Sequence, residues 1–260
     1  MPKITFITGA TSGFGEACAY IFAANGYDLI LNGRRTDRLQ TMADAIEKKY
    51  NVAVLQLPFD VREEKAVFES IQNIPADWQV IDVLINNAGL ALGRDYFEEG
   101  DVNDWNTMID TNVKGFLYVA KAVSQLMVAK NASTDSAGHI INLGSVAGKE
   151  VYEKGNVYCA SKFAVNAISE GMRIDLLRHH IKVTSINPGA AETEFSLVRF
   201  KGDEDTAKKI YDGLKPLTAT DVAEVIYYCA SLPAHVCIND LTITCTQQAN
   251  GIFFNRQLTG

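Results

Sequence analysis

Short runs that are apolar on both faces alternate along the chain with longer stretches whose apolar positions recur every three or four residues. The short runs are KITFIT (3–8), DLILN (28–32), AVLQLP (53–58), DVLIN (82–86), HIINLG (139–144), KVTSIN (182–187) and LTIT (241–244). A strand reads this way when helices cover both of its faces. The stretches at 13–25, 35–49, 104–130, 156–178 and 220–231 have the length and spacing of such helices. This alternation implies right-handed crossovers and predicts an α/β protein, an open, doubly wound parallel sheet of about seven strands flanked by helices. Ligands of such sheets sit outside the carboxyl ends of the strands, where the winding reverses. TGATSGFG (8–15), NNAG (86–89), Ser145 and Pro188-Gly189 all fall at strand ends. From about 190 to 218 the rhythm breaks. The run TEFSLVRFKGDEDTAKKIYDGLKP is polar and charged, and a long excursion beside a ligand crevice predicts a substrate lid.

At 260 residues and 47% hydrophobic content, the chain suits one domain spanning 1–260. With 24 basic against 31 acidic residues the net charge is -7, which argues against nucleic-acid partners and gives no reason to expect an anionic membrane. The most apolar stretch, FLYVAKAVSQLMV, is broken by Lys121 and falls short of the about 18 apolar residues of a membrane span. The opening MPKITFITG runs into a strand rather than into the apolar stretch and cleavage site of a secretion signal. Five cysteines show no CxxC spacing, and with this opening they predict a reduced, cytoplasmic protein. The four histidines, His139, His179, His180 and His235, form no ligand motif, so no metal site is expected.

Gly9, Gly13 and Gly15 let the backbone turn tightly after the first strand and approach a phosphate closely. With Thr11, Ser12 and Phe14 they open a helix whose free N–H groups and dipole favour an anion, so this turn is a candidate pyrophosphate site. The spacing is GxxxGxG rather than GxGxxG. An acidic residue at the end of the second strand would select NAD; here stand Asn32, Gly33, Arg34 and Arg35. Cations at a helix N-terminus oppose its dipole, and a 2′-phosphate partner for Arg34 and Arg35 explains them, so NADP(H) is the expected cofactor. Asp60 and Val61 are placed to touch the adenine. Asn87, Ala88 and Gly89 provide a close-packed wall for the adenosine ribose and the nicotinamide side.

At the other end of the crevice, GSVAGKEVYEKGNVYCASK holds Ser145, Tyr158 and Lys162. Lys162 lies one helical turn beyond Tyr158, so both face one way. A phenol ordinarily loses its proton near pH 10; a nearby ammonium and an oxidised nicotinamide would favour phenolate. Tyr158 is then the expected general base or acid, with Ser145 holding the substrate oxygen. Asn112, in TNVKG, is a candidate to keep a helix kink and a water through which Lys162 reaches solvent. Cys159 points away from Tyr158 by about 100° and reads as a small core residue.

TGATSGFG, NNAG, Asn112, Ser145, Tyr158-x-x-x-Lys162 and Pro188-Gly189 with Thr193 together resemble the motif set of the short-chain dehydrogenase/reductase family, in order and over essentially the whole length. The resemblance implies a Rossmann-type subunit and an Asn112–Ser145–Tyr158–Lys162 tetrad. It also implies that Lys162 binds the nicotinamide ribose, that Thr193 contacts the carboxamide, and that the helices at 104–130 and 156–178 pack in a homotetramer built as a dimer of dimers. EFSLVRFKGDEDTA (194–207) and LPAHVCINDLTI (232–243) further resemble NADP-dependent 3-hydroxy acid dehydrogenases acting on serine, allo-threonine and related short acids. Reductases of malonic semialdehyde and of sulfoacetaldehyde are similar too.

A small acid substrate needs a cation near Tyr158, and Arg199 is the first candidate because a guanidinium grips a carboxylate or sulfonate bidentately. Lys201 and Arg94 are weaker candidates; Tyr152 and Phe195 are candidates to line the pocket. Two other classes compete. A cofactor-sensing binding protein would be expected to lack the phenol or the lysine. A reductase of carrier-bound 3-oxoacyl groups or sterols would want a basic docking patch or an apolar lid.

Overall fold

The computed structural model describes residues 2–131 and 138–257. Its strands are β1 (Ile4–Ile7), β2 (Asp28–Leu31), β3 (Val54–Gln56), β4 (Ile81–Asn86), β5 (His139–Leu143), β6 (Lys182–Pro188) and β7 (Asp240–Ile243), each within a few residues of its expected place. All pair in parallel in the order β3-β2-β1-β4-β5-β6-β7, so the winding reverses between β1 and β4. The helices are α1 (Gly13–Ala24), α2 (Thr36–Tyr50), α3 (Glu64–Gln72), α4 (Val102–Ile109), α5 (Phe116–Asn131), α6 (Asn156–Asp175), α7 (Glu194–Arg199), α8 (Glu204–Lys209) and α9 (Ala219–Ser231).

The two-faced apolar runs have a direct cause. Along β4, Val83 and Ile85 pack with Phe22 of α1, Leu39 of α2 and Ile226 of α9. Leu84 turns the other way, onto Val67 of α3 and Val123 of α5. Successive strand residues point to opposite faces, and here each face meets a layer of helices.

Two expected helices and the expected lid differ in detail. The stretch at 104–130 is interrupted by a π-turn at Asp110–Gly115, which separates α4 from α5. Gly115 there sits against Val61, where a Cβ would lie 2.8 Å from the Val61 carbonyl oxygen and side chain. Polar Asp110, Thr111 and Asn112 do not disturb an apolar period, so the sequence reads as unbroken helix. The stretch at 156–178 ends its α-helix at Asp175 and finishes as a short 3₁₀ turn, Leu177–His179. The region 190–218 folds as two short helices, α7 and α8, beside the carboxyl ends of the strands.

His139 is buried at the start of β5. Its Nε2 lies 2.7 Å from Thr184 Oγ1, and Thr184 spends its own proton on the Ile238 carbonyl at 2.7 Å. Nε2–H therefore donates and the ring is neutral. Burial, and then the charge of Lys182, holds the imidazole at about 3. The unfolded chain takes up this proton near pH 6.5, so the contribution is intact above that value and is lost as pH falls from 6.5 towards 3. Urea unfolding at pH 7 and pH 5 is expected to show a loss of about 2 kcal/mol from this group. His139→Gln should flatten that dependence; equal pH slopes for both proteins would contradict the assignment.

Candidate active site

The carboxyl ends of β1, β2, β4, β5 and β6 surround a cleft of about 740 Å³. At its floor the turn after β1 touches the end of β4. Gly9 and Gly13 have φ of 63° and 56°. A Cβ on Gly9 would sit 3.0 Å from Asn87 Nδ2 and 3.1 Å from Ala88 Cα, and one on Gly15 would collide with the Gly9 carbonyl. Thr8 Oγ1 accepts the N–H groups of Asn87 and Ala88 at 2.9 and 3.0 Å, and Asn87 Nδ2 donates to the Thr8 carbonyl at 2.8 Å. Ser12 stands at the N-cap of α1 without capping it through its side chain, leaving first-turn N–H groups at the cleft. Thr11, Ser12, Gly13 and Phe14 all line it. A cradle that a Cβ would fill, next to a helix N-terminus, suits a pyrophosphate.

Arg34 and Arg35 also line the cleft, but their guanidiniums are differently employed. Arg35 donates to Thr11 Oγ1 and to the Thr11 carbonyl and pairs with Glu194 of α7 at 3.0 Å. Arg34 is 61% exposed and lies 3.6 Å from Asp60. Asp60 is held by Arg62 at 2.6 Å. Burial alone would raise its carboxyl, but the Arg62 guanidinium and N–H outweigh that and keep it below the ordinary carboxylate range. Asp60, Val61, Asn87, Ala88, Gly89, Pro188, Gly189 and Thr193 all border the same cleft. Gly189 admits the Gln248 side chain where its own Cβ would be, and Thr193 Oγ1 caps α7 by accepting the Phe195 N–H at 3.2 Å.

Tyr158 and Lys162 are buried on α6, with Ser145 just beyond β5. Burial pushes the Tyr158 phenol above its ordinary value and neighbouring Tyr152 adds to this, while Arg199 and a hydrogen bond with Ser145 pull it partly back. The cation opposing the rise is thus Arg199, its guanidinium 4.8 Å from the Tyr158 ring centroid. Lys162 stands further from the phenol ring than Arg199 does. Its ammonium lies 6.0 Å from that centroid and donates instead to the Leu143 carbonyl at 2.9 Å. Burial holds Lys162 at about 8.

Asn112 sits inside the π-turn, where its Nδ2 donates to the Leu90 carbonyl at 2.7 Å and to Ser161 Oγ at 3.0 Å. Its Oδ1 accepts the Leu90 N–H at 2.8 Å. The amide thus holds the chain after Gly89 against α6.

Arg199 projects from the end of α7 among the rings of Tyr152, Tyr158 and Phe195 and donates to Tyr152 Oη at 2.9 Å. Its Nε is buried without a hydrogen-bond partner among the described residues. Arg94 lines the same cleft, 6.0 Å from the Tyr152 ring. Lys201 does not line it, because Asp104 takes its ammonium at 2.8 Å. Sequence reasoning missed Tyr211, Gln248, Ile252, Phe254 and Arg256, which also border the cleft. Tyr211 comes from the lid segment just after α8, whereas Gln248, Ile252, Phe254 and Arg256 arrive from a C-terminal segment that carries no motif, and Gln248 is recognisable only by its bond to the Ala190 N–H at 2.7 Å. Cys159 is fully buried and its thiol is raised by burial, as a core residue's would be. Among the described residues, no group of three or more His, Cys, Asp or Glu is placed to hold a metal ion, and no helix is long and apolar enough to cross a membrane.

This arrangement places the protein among the dinucleotide-dependent α/β dehydrogenases. The chain belongs to the short-chain dehydrogenase family, whose family model matches residues 3–203. It is 46% identical over 255 residues to the NADP-dependent 3-hydroxy acid dehydrogenase YdfG of Salmonella typhi, covering 97% of this chain and 99% of that one. It is 45% identical over 253 residues to sulfoacetaldehyde reductase 2 of Chromohalobacter salexigens, covering 97% and 98%. Among solved structures, a closed serine dehydrogenase complexed with NADP+ superposes with a TM-score of 0.88 at 44% identity, covering 98% and 100%.

Gly15→Ala should weaken dinucleotide binding at least about tenfold, the equivalent of roughly 1.4 kcal/mol, because the turn must open to admit the methyl group. Fluorescence titration with NADPH measures this; an unchanged dissociation constant would exclude the turn as the cradle.

Proposed function

We propose that the protein transfers a hydride between NADP(H) and the alcohol or carbonyl carbon of a short 3-hydroxy acid of the serine, allo-threonine or 3-hydroxypropionate type. One observation carries the substrate class: Arg199, half-buried and with its Nε enclosed and unbonded, stands beside Tyr158 with no acidic partner among the described residues. A buried cation is costly unless an anion completes it, and a substrate carboxylate does so in a bidentate fork. The names of the relatives support the reading.

The catalytic set is Asn112, Ser145, Tyr158 and Lys162. Ser145 holds the substrate oxygen against the phenol. Tyr158 takes the hydroxyl proton in oxidation and returns it in reduction. Lys162 is placed by the Leu143 carbonyl to meet the nicotinamide ribose. Asn112 fixes the wall at Leu90 and, through Ser161, the turn of α6 that carries Lys162. The cradle from Gly9 to Gly15, with Arg34, Arg35, Asp60, Val61, Asn87, Ala88, Gly89, Pro188, Gly189 and Thr193, holds the dinucleotide. When bound, NADP supplies a carbon that accepts or gives hydride and, oxidised, a positive charge near the phenol. That charge acts with Arg199 against the burial that holds Tyr158 protonated.

The segment 190–218 serves as lid within a single domain, since α7 delivers Arg199 and Phe195 to the cleft. The exposed Leu117, Phe163 and Ile174 on α5 and α6 suit a homotetramer, and we place the enzyme in the cytoplasm. A sulfonate fits the same guanidinium, and the similarity to sulfoacetaldehyde reductase 2 favours this as the second reading.

Initial rates with serine, allo-threonine, 3-hydroxypropionate and isethionate, each with NADP and NAD, test the proposal. Arg199→Ala should raise KM for the carboxylate substrates by roughly ten- to a hundredfold, the worth of a hydrogen-bonded charge, with less effect on a neutral alcohol. An unchanged KM would remove the basis of the substrate class. Tyr158→Phe should lower kcat by about 10²- to 10⁴-fold while NADPH still binds; turnover at the original rate would refute the proton-transfer role.

A further inference from the structure

We infer that Glu194 tunes the choice between NADP and NAD by occupying, in the protein alone, the guanidiniums that recognise the 2′-phosphate. The inference rests on the NADP reading above.

Glu194 opens α7, immediately after Thr193. Its carboxylate is divided between two arginines: Oε2 lies 3.0 Å from Arg35 Nη1 and Oε1 lies 2.7 Å from Arg38 Nη1. Both arginines belong to the start of α2, just past the end of β2, where doubly wound sheets read the adenosine ribose. Arg35 is fixed further by its donors to Thr11, so its guanidinium cannot swing away to follow Glu194. Arg34 adds a third guanidinium, and its only ion pair among the described residues is the 3.6 Å contact to Asp60, a carboxylate already taken by Arg62. Arg34, Arg35 and Glu194 border one cleft. The acidic residue absent from the end of β2 has been supplied from a segment far along the chain.

The side chains of the Glu194 pairs are 41–52% exposed, and such pairs shift an equilibrium by no more than about five-fold. A phosphate dianion makes stronger, bidentate bonds to guanidinium and takes the arginines over. The displaced carboxylate still lies beside it and opposes it. NAD carries a hydroxyl at that position and meets no such opposition. Glu194 therefore moderates a preference that the arginines alone would make steeper.

Dissociation constants of NADPH and NADH, measured by calorimetry for the wild type and Glu194→Gln, test this. The ratio of the NADH to the NADPH constant should rise about two- to five-fold, mainly through tighter NADPH. The rise should shrink in the Arg35→Ala/Arg38→Ala background, where Glu194 no longer competes for those guanidiniums. Disturbance of α7 moves both constants together and leaves their ratio alone, so an unchanged or falling ratio overturns the inference. Glu194→Ser gives the same readout should the glutamine variant fold poorly. A wild type that binds NADH as tightly as NADPH overturns the NADP reading and this inference with it; a wild-type preference with an unmoved ratio overturns this inference alone.

Discussion

The close approach of the β1 turn to the end of β4 is the constraint from which the cleft follows. Parallel strands pointing their carboxyl ends one way create a crevice only where neighbouring connections leave in opposite directions. Here that happens between β1 and β4, and the two chain ends are clasped through the Thr8 hydroxyl and the Asn87 amide. The contact is too tight for a side chain at Gly9 or Gly15. The same absence of Cβ atoms that lets the turn close also bares its N–H groups. Packing and ligand geometry are thus two results of one steric fact.

Electrostatics at the reacting end is set by burial. A phenol and an ammonium both enclosed by protein each shift towards their neutral forms, Tyr158 upward and Lys162 down to about 8. Arg199 offsets part of this at Tyr158. Burial therefore favours the protonated phenol of Tyr158, and added positive charge would oppose that. Such a pocket gains its reactivity from the assembled complex and keeps little of it beforehand.

Much of this could be read from the chain, and the reasons are local. Strands covered on both faces leave uninterrupted apolar runs, which made the five inner strands legible, while the less buried edge strands β3 and β7 stood out as short β-branched and apolar runs. The glycine turn, NNAG and the pair Tyr158 and Lys162 were legible because each is a pattern of residues only a few positions apart in the chain. The π-turn was not, because the bonds of the Asn112 amide inside it run to Leu90 and Ser161, which only the completed fold brings near. The employment of Arg35 by Glu194, and the presence of Gln248 and Phe254 at the cleft, depend on residues brought together only by the completed fold. The turning of Lys162 towards Leu143 is likewise a tertiary fact, since helical spacing reports direction but not distance.

Arg199 and the proton-handling residues reach the cleft from different stretches of chain. Ser145, Tyr158 and Lys162 come from the β5–α6 unit, while the guanidinium arrives on a short helix outside the sheet. Variation in that helix therefore alters what the pocket admits, and reaches the phenol only through the charge at Arg199. A lineage exploring new metabolites would accumulate its changes in the peripheral helix and leave the inner scaffold untouched, a modularity that makes the architecture easy to repurpose.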